Sequence, residues 1–239
     1  MKLVGTLQSA PQSAIDTSSN VLSGVNLGAE IAADEGSVFR FVLAGASNIP
    51  AGVLVQSPAL IANHLTRTLA TSFDIGSPVV AVPLGATATT AGQYQGGKLV
   101  VVDGTGAGAE FGIQNNDAVL ASGTVLITLE QTLNIALDNT SVVSLIPNLY
   151  NGVIINPTSP TGAVVGVTTT AIAAGNYGFV QIYGSCPVLA DGAISAGAAI
   201  SPSNATAGAV ESGVIAQGFV GRALEAGVST KKHTAFLTI

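Results

Sequence analysis

The stretch YGFVQIYGSCPVLADGAISAG, residues 177–197, carries the single cysteine of the chain and two of its four tyrosines. Read as chemistry, it starts from Cys186 and Asp191; read as structure, it starts from alternation and glycine. YGFVQIYG places Tyr177, Phe179, Gln181 and Tyr183 on one face of an extended strand, with Gly178, Val180 and Ile182 on the other. Aromatics on one side and small apolar residues on the other suit a strand covered on both faces. CPVLADG (186–192) follows as a second short strand, ended in a turn by Asp191-Gly192. No acid, base and acceptor converge here, so the segment reads as a sheet wall.

The same grammar runs outward along the chain. SVFRFVLAG (37–45), SPVVAVPLG (77–85), GGKLVVVDGTG (96–106), SVVSLIPN (141–148) and NGVIINP (151–157) read as strands. So do GAVVGVTTTAI (162–172), FVGRALEAG (219–227) and HTAFLTI (233–239), while TVLITLEQTLNIAL (124–137) reads as strand, turn, strand. Asp103-Gly104 and Asn151-Gly152 are hairpin signals. The best helical candidate is PALIANHLTRTLA (58–70), with apolar residues near helical spacing but weakened by Asn63, Thr66 and Thr68. The expected class is all-β: sandwich or barrel-like antiparallel sheets with Gly-rich hairpins. Residues 1–35 lack the pattern of an independent core and are expected to form an extended N-terminal arm. A β-rich domain over 36–157 and a C-terminal β subdomain over 158–239 meet at the turn cluster PTSPTG. A loose AxxAG or ISAG phrase recurs at 171–175, 194–197 and 205–208, a recurrence that a chain rich in Ala and Gly produces by composition alone.

Composition points to assembly. Only 7 Lys or Arg and 13 Asp or Glu occur in 239 residues, with 29 Gly and a mean hydropathy of +0.57. So few charges leave a separate monomer poorly solvated, and a surface of this kind is expected to be covered by partner chains. The hydropathy is not that of a membrane protein: polar residues or glycine interrupt every apolar run before it reaches spanning length. Four Tyr and seven Phe are too few for the aromatic girdles of a membrane barrel. MKLVGTLQSAPQSA is too weakly patterned for a signal peptide. A net charge of −6 argues against nucleic acid, and one cysteine excludes an intramolecular disulfide.

The candidate sites each have a plainer explanation. His64, His233 and Cys186 are the only soft or nitrogen ligands, too few for a structural zinc, and no carboxylate neighbours either histidine at ligand spacing. DGTGAGAE (103–110) has a faint look of a calcium loop but too few carboxylates in register, and Gly104, Gly106 and Gly108 serve a tight turn instead. A phosphate loop fails as well, because EFGIQNNDAV continues as a strand and no Walker lysine is present. A Cys186 nucleophile requires His64 or His233 beside it and a third group to orient the base; the simpler reading is a small buried hydrophobe. Glu110, Asp117 and Glu130 are the acids that a glycosidase pair would draw on. A glycan-binding module requires Tyr94, Tyr150, Tyr177 or Tyr183 exposed together around a groove, and fails if most of them are buried. Expected on these grounds are no catalytic residue, no metal and no cofactor.

Two segments carry a resemblance. AGQYQGGKLVVVDGTGAGAEFGIQNN (91–116) resembles a phrase of tailed-bacteriophage virion proteins, with an aromatic-Gly-Gly strand, then Asp-Gly-Thr-Gly and Ile-x-x-Asn. GNYGFVQIYGSCPVLADGAISAGAAISPSNATAGAVE (175–211), with FVGRALEA (219–226), resembles the C-terminal half of head-associated proteins of those phages. Weaker similarity runs from residue 77 to the end, and the N-terminal third has no counterpart. The resemblance implies a head decoration (capsid cement) protein: β-rich, bound to the major capsid protein on the capsid exterior, often a homotrimer, assembled in the host cytoplasm. It implies no residues that do chemistry. Other capsid, tail-tube or fibre parts, and a surface glycan-binding module, are the alternatives.

Overall fold

The computed structural model describes residues 8–10, 18, 19, 25–213 and 218–239. It is all-β, with one mixed, mainly antiparallel sheet, one antiparallel sheet and a single 3-10 turn at Ala62–His64 among the described residues. The chain folds as two compact units. Residues 60–148 form one unit without interruption, inserted between the two halves, 1–59 and 149–239, of the other. These bounds differ from the 36–157 and 158–239 division expected from turn composition.

The discontinuous unit holds β1 (Gln8–Ala10), β2 (Glu30–Ala33), β3 (Val38–Ala44) and β4 (Leu54–Gln56) from its first half. The inserted unit contributes β5 (Arg67–Thr68), β6 (Val79–Pro83), β7 (Lys98–Asp103), β8 (Glu110–Asn116), β9 (Thr124–Leu129) and β10 (Val142–Ile146). The second half returns with β11 (Asn151–Ile155), β12 (Val164–Thr168) and the long β13 (Tyr177–Leu189). β14 (Ala199–Pro202), β15 (Val210–Ser212), β16 (Gly221–Ala223) and β17 (Lys232–Thr238) complete it.

In the discontinuous unit the sheet order is β1-β2-β3-β11-β4-β12-β13-β17-β16-β14-β15, and an additional β3–β13 pairing curls strands β3, β11, β4, β12 and β13 into a barrel. Two pairings are parallel, β1 with β2 and β11 with β3. The hub is β13. Its first half lies antiparallel to β3, with Phe179 opposite Phe41, and its second half lies antiparallel to β17, with Cys186 opposite Ala235. One strand thus serves two cores. Val42, Val55, Val153 and Val180 fill the first, and Val188, Ile200, Val220 and Leu237 the second. A third, aromatic cluster of Phe39, Phe41 and Phe179 packs with Ile31 and Ala33 of β2.

Gly184 explains why one strand of 13 residues stands where the sequence suggests two. Its φ of +99 and the register shift between Gln181 and Tyr183 re-aim the strand without ending it. A Cβ at Gly184 would lie 2.7 Å from the Ser37 hydroxyl, so only glycine passes there. The expected single-face alignment of Tyr177, Phe179, Gln181 and Tyr183 breaks at this point. Gln181 is buried, its Nε2 donating to the Tyr183 and Ser185 carbonyls at 3.0 Å each, while Tyr183 stands exposed.

The inserted unit is a six-stranded sheet ordered β5-β10-β7-β8-β9-β6. Its two end strands approach through the Arg67 Nε, which donates to the Pro83 carbonyl at 2.9 Å. Inside lies one core of Val80, Val82, Tyr94, Leu99, Ile113, Ile127 and Leu145 with their neighbours. The helix expected over 58–70 is absent. Ile61 and Leu65 flank the 3-10 turn in extended backbone, Thr66 takes a φ of +48, and Arg67–Thr68 pair with β10. Weak helix propensity and a missing N-cap leave nothing to resist those tertiary bonds.

A local motif repeats through both units: a bridge residue, a linking residue, a two-residue turn, then a strand, the Thr89 copy alone running on through a longer turn to residue 96. It begins at Ile49, Phe73, Thr89, Val119, Leu137, Ile172, Ile194 and Gly227. The copies face each other in pairs: Ile49 with Ile172, Phe73 with Leu137, Thr89 with Val119, Ile194 with Gly227. Each pair is closed by reciprocal backbone bonds, such as Ile49 N to Ile172 O at 2.8 Å and back at 2.9 Å. The second turn residue has positive φ in seven copies, Leu137's motif being the exception. That requirement selects glycine in Gly52, Gly76, Gly92, Gly175 and Gly197. The AxxAG and ISAG phrases at 171–175 and 194–197 are therefore structural repeats, and not a by-product of composition.

Most of the expected arm 1–35 lies outside the described residues. Its described portions are built into the sheet, β1 beside β2 and β2 antiparallel to β3.

Candidate functional site

No hydrogen bond joins Cys186, His64 and His233 among the described residues. Cys186 faces the core of the second half of β13 and is fully buried; burial pushes its thiol up to about 12. Its sulfur lies 3.6 Å from its neighbour's carbonyl, Pro187 O. Neither histidine lies beside it in a hydrogen bond. His64, in the inserted unit and fully buried, has Nδ1 2.5 Å from the Tyr94 hydroxyl and Nε2 2.9 Å from the Thr87 carbonyl. A carbonyl only accepts, so Nε2 carries the proton and Nδ1 accepts from Tyr94. Burial raises the Tyr94 phenol to about 12, so it stays a donor through the neutral range. This pair fastens the 3-10 turn to the core.

His233 sits inward on β17 and is 3% exposed, with no hydrogen-bond partner for either ring nitrogen among the described residues. Burial holds its imidazole below the usual value, offset in part by the Val188 backbone and the Glu225 carboxylate. Glu225 in turn accepts from the Thr234 backbone at 2.8 Å and hydroxyl at 2.7 Å, bonds that hold its carboxyl below the usual range.

The acids serve turns and pairs. Glu110 pairs with Lys98, and Asp191 accepts from the Ser203 hydroxyl at 2.5 Å. The DGTG turn between β7 and β8 is clamped by a segment that its own sequence does not reveal. Asp138 accepts from the Thr105 hydroxyl at 2.8 Å and from the Thr140 amide and hydroxyl, and its carboxyl is lowered mainly by Thr140. The Ser141 hydroxyl donates to the Thr105 carbonyl. Among the described residues, no group of three or more His, Cys, Asp or Glu is placed to hold a metal ion. No helix of the described residues is long and apolar enough to cross a membrane.

The four tyrosines do not gather. Tyr94 is core, Tyr150 lies under the Arg40 guanidinium at 5.2 Å, Tyr177 stacks on Phe41, and Tyr183 alone is exposed. An open concavity of about 370 Å³ between residues 48–50 and 171–173 is lined mainly by carbon and holds no titratable group.

What the surface does present is apolar. On the discontinuous unit, Tyr183 sets its ring edge-on to Phe236 at 5.1 Å, and Leu224 and Val228 are more than half exposed. Arg222 lies across from Phe236, and Lys231 and Lys232 follow within the next turn and strand. On the inserted unit, residues 73–77 run beside 133–137, and exposed Ile75 and Ile135 stand on them. Leu120 and Leu126 are exposed elsewhere on that unit. Sequence periodicity finds inward positions but does not single out these, because an exposed Ile or Leu in a turn looks like any other apolar residue.

No family model, curated protein or solved structure matches the chain.

Proposed function

We propose that this chain is a structural virion protein of the head-decoration type. It binds the major capsid protein on the exterior of a tailed-phage capsid, stabilises the shell and self-associates as a homotrimer. In this reading it performs no reaction, needs no cofactor and has no membrane or nucleic-acid partner. The observation that carries the proposal is the exposure of large apolar side chains on a chain with 20 charged residues in 239. Side chains of that kind become stable when a partner covers them. The textual resemblance over 91–116, 175–211 and 219–226 supplies the particular setting. Tyr94 is buried and Tyr183 alone of the four tyrosines is exposed, which counts against the glycan-binding alternative, since it needs such rings exposed together.

The finer architecture belongs to the same proposal. Gly-rich hairpins keep the exposed turns compact, and an extended arm at the N-terminus reaches onto the shell or a neighbouring copy. The test is addition of the purified protein to shells built from the major capsid protein alone. Binding that raises the temperature at which the shells open is expected; absence of binding refutes the reading. Deletion of residues 1–17 is expected to abolish occupancy and leave β2 to β17 folded, and full occupancy after the deletion refutes the arm.

A further inference from the structure

The self-association proposed above does not say which surfaces meet, and the charge distribution points to an answer. Residues 218–239 carry Arg222, Lys231 and Lys232 against Glu225 alone, a local charge of +2. The inserted unit carries Asp74, Asp103, Glu110, Asp117, Glu130 and Asp138 against Arg67 and Lys98, a local charge of −4. Part of each charge set lies beside exposed carbon: Lys231 and Lys232 on one, Asp74, Asp103 and Asp138 on the other. Leu224 and Val228 stand beside the lysines, with Val228 O accepting from Lys231 N at 3.0 Å in the turn that carries both.

On the inserted unit, Ile75 follows exposed Asp74, and residue 135 lies two positions before the Leu137 bridge and three before Asp138. The Asp103 turn joins the same patch: Thr105 donates to Asp138, and a Cβ at Gly106 would lie 3.8 Å from Ile135. The ion pairs among the described residues are Arg40 with Glu30 and Lys98 with Glu110. Among the described residues, Arg222, Lys231, Lys232 and Asp74 are therefore not used in one.

We infer that the basic apolar corner at 222–232 of one copy docks on the acidic apolar patch around Asp74, Ile75 and Ile135 of a second copy. The two surfaces are different, so the contact is head-to-tail, and the homotrimer proposed above is the case in which that contact closes into a ring. Buried isoleucine, leucine and valine supply the attraction. The exposed charges set register and partner choice, since isolated surface pairs add little affinity.

Light scattering on the full chain tests this with three variants. Lys231→Glu with Lys232→Glu is expected to weaken association at least about tenfold and to reduce its sensitivity to salt. Adding Asp74→Lys and Asp103→Lys inverts both surfaces together and is expected to restore association. A control adds Asp34→Lys and Glu35→Lys instead; these exposed residues lie in the β2–β3 turn, and the net charge returns to its parental value without reaching the patch. It is expected to remain dissociated. Unchanged far-UV spectra and melting establish that each variant folds.

Equal recovery in the patch variant and the control overturns the proposal, because net charge alone then governs association. Parental association in the first variant also overturns it, and leaves self-association itself standing. A parental chain that stays monomeric refutes self-association as well.

Discussion

Replacing Tyr94 with phenylalanine isolates one hydroxyl in the core of the inserted unit. The ring keeps its packing at 1% exposure and its edge-on approach to His64 at 5.8 Å, so apolar burial hardly changes. What is lost is the donor to His64 Nδ1, which has no other partner because Nε2 is committed to the Thr87 carbonyl. An acceptor left buried and unpaired costs ~1–3 kcal/mol. For a unit of this size that corresponds to a fall of roughly 4–8 °C per kcal/mol in midpoint. Urea unfolding, followed by a probe confined to residues 60–148, measures it. A cycle with His64→Leu separates the bond from the ring, and a coupling of about 1 kcal/mol or more is expected. A Tyr94→Phe chain within ~0.5 kcal/mol of its parent, with an additive cycle, refutes the assignment of this pair as a structural clamp.

Gly104→Ala places a Cβ 1.9 Å from the Thr140 carbonyl at a φ of +75 and is expected to cost ~2 kcal/mol or more, with faster amide exchange at Thr105 and Thr140. Retained exchange protection contradicts it. Burial lowers the His233 pKa, so the unfolded chain takes up the proton more readily than the folded one. The stability contributed by the neutral ring is full above about pH 6.5 and is lost as pH falls toward the lower folded value. His233→Leu is expected to flatten urea midpoints across that window, and an unchanged slope contradicts the assignment. Cys186, with its thiol raised to about 12, is expected to resist iodoacetamide in the native protein and to react on unfolding; labelling of the native chain contradicts its burial.

Particular residues show how far the sequence reaches. Apolar runs bounded by turn residues locate β3, β6, β7 and β17 to within a few residues at each end, because their side chains are sorted between core and solvent. They fail at β13, where Gly184 and the shift after Gln181 change the facing inside one strand, a change that reads as a break. PALIANHLTRTLA imitates a helix because Ile61, Leu65 and Leu69 happen to fall at helical spacing. His64 is drawn instead to Tyr94, thirty residues away, and Thr66 turns left-handed. The insertion of 60–148 leaves no distinct mark, since turn residues such as Asn148 and Asn151-Gly152 at its second junction resemble those between strands throughout the chain. Ile194-Ser-Ala-Gly197 was legible as a phrase but not as a motif, because its partner, Gly227-Val-Ser-Thr230, shares the backbone and not the letters. Cys186 reads from the sequence as a small buried hydrophobe and is one, whereas nothing in the letters marks Tyr94 as buried.

A surface with so little charge is made, on the function proposed above, to be covered by other copies and by the shell. The most direct test of self-association is the mass of the unaltered protein in solution, by light scattering across about a hundredfold range of concentration. A stable species near three times 23.5 kDa is expected. A monomer at every concentration, well behaved and unaffected by salt, contradicts the account.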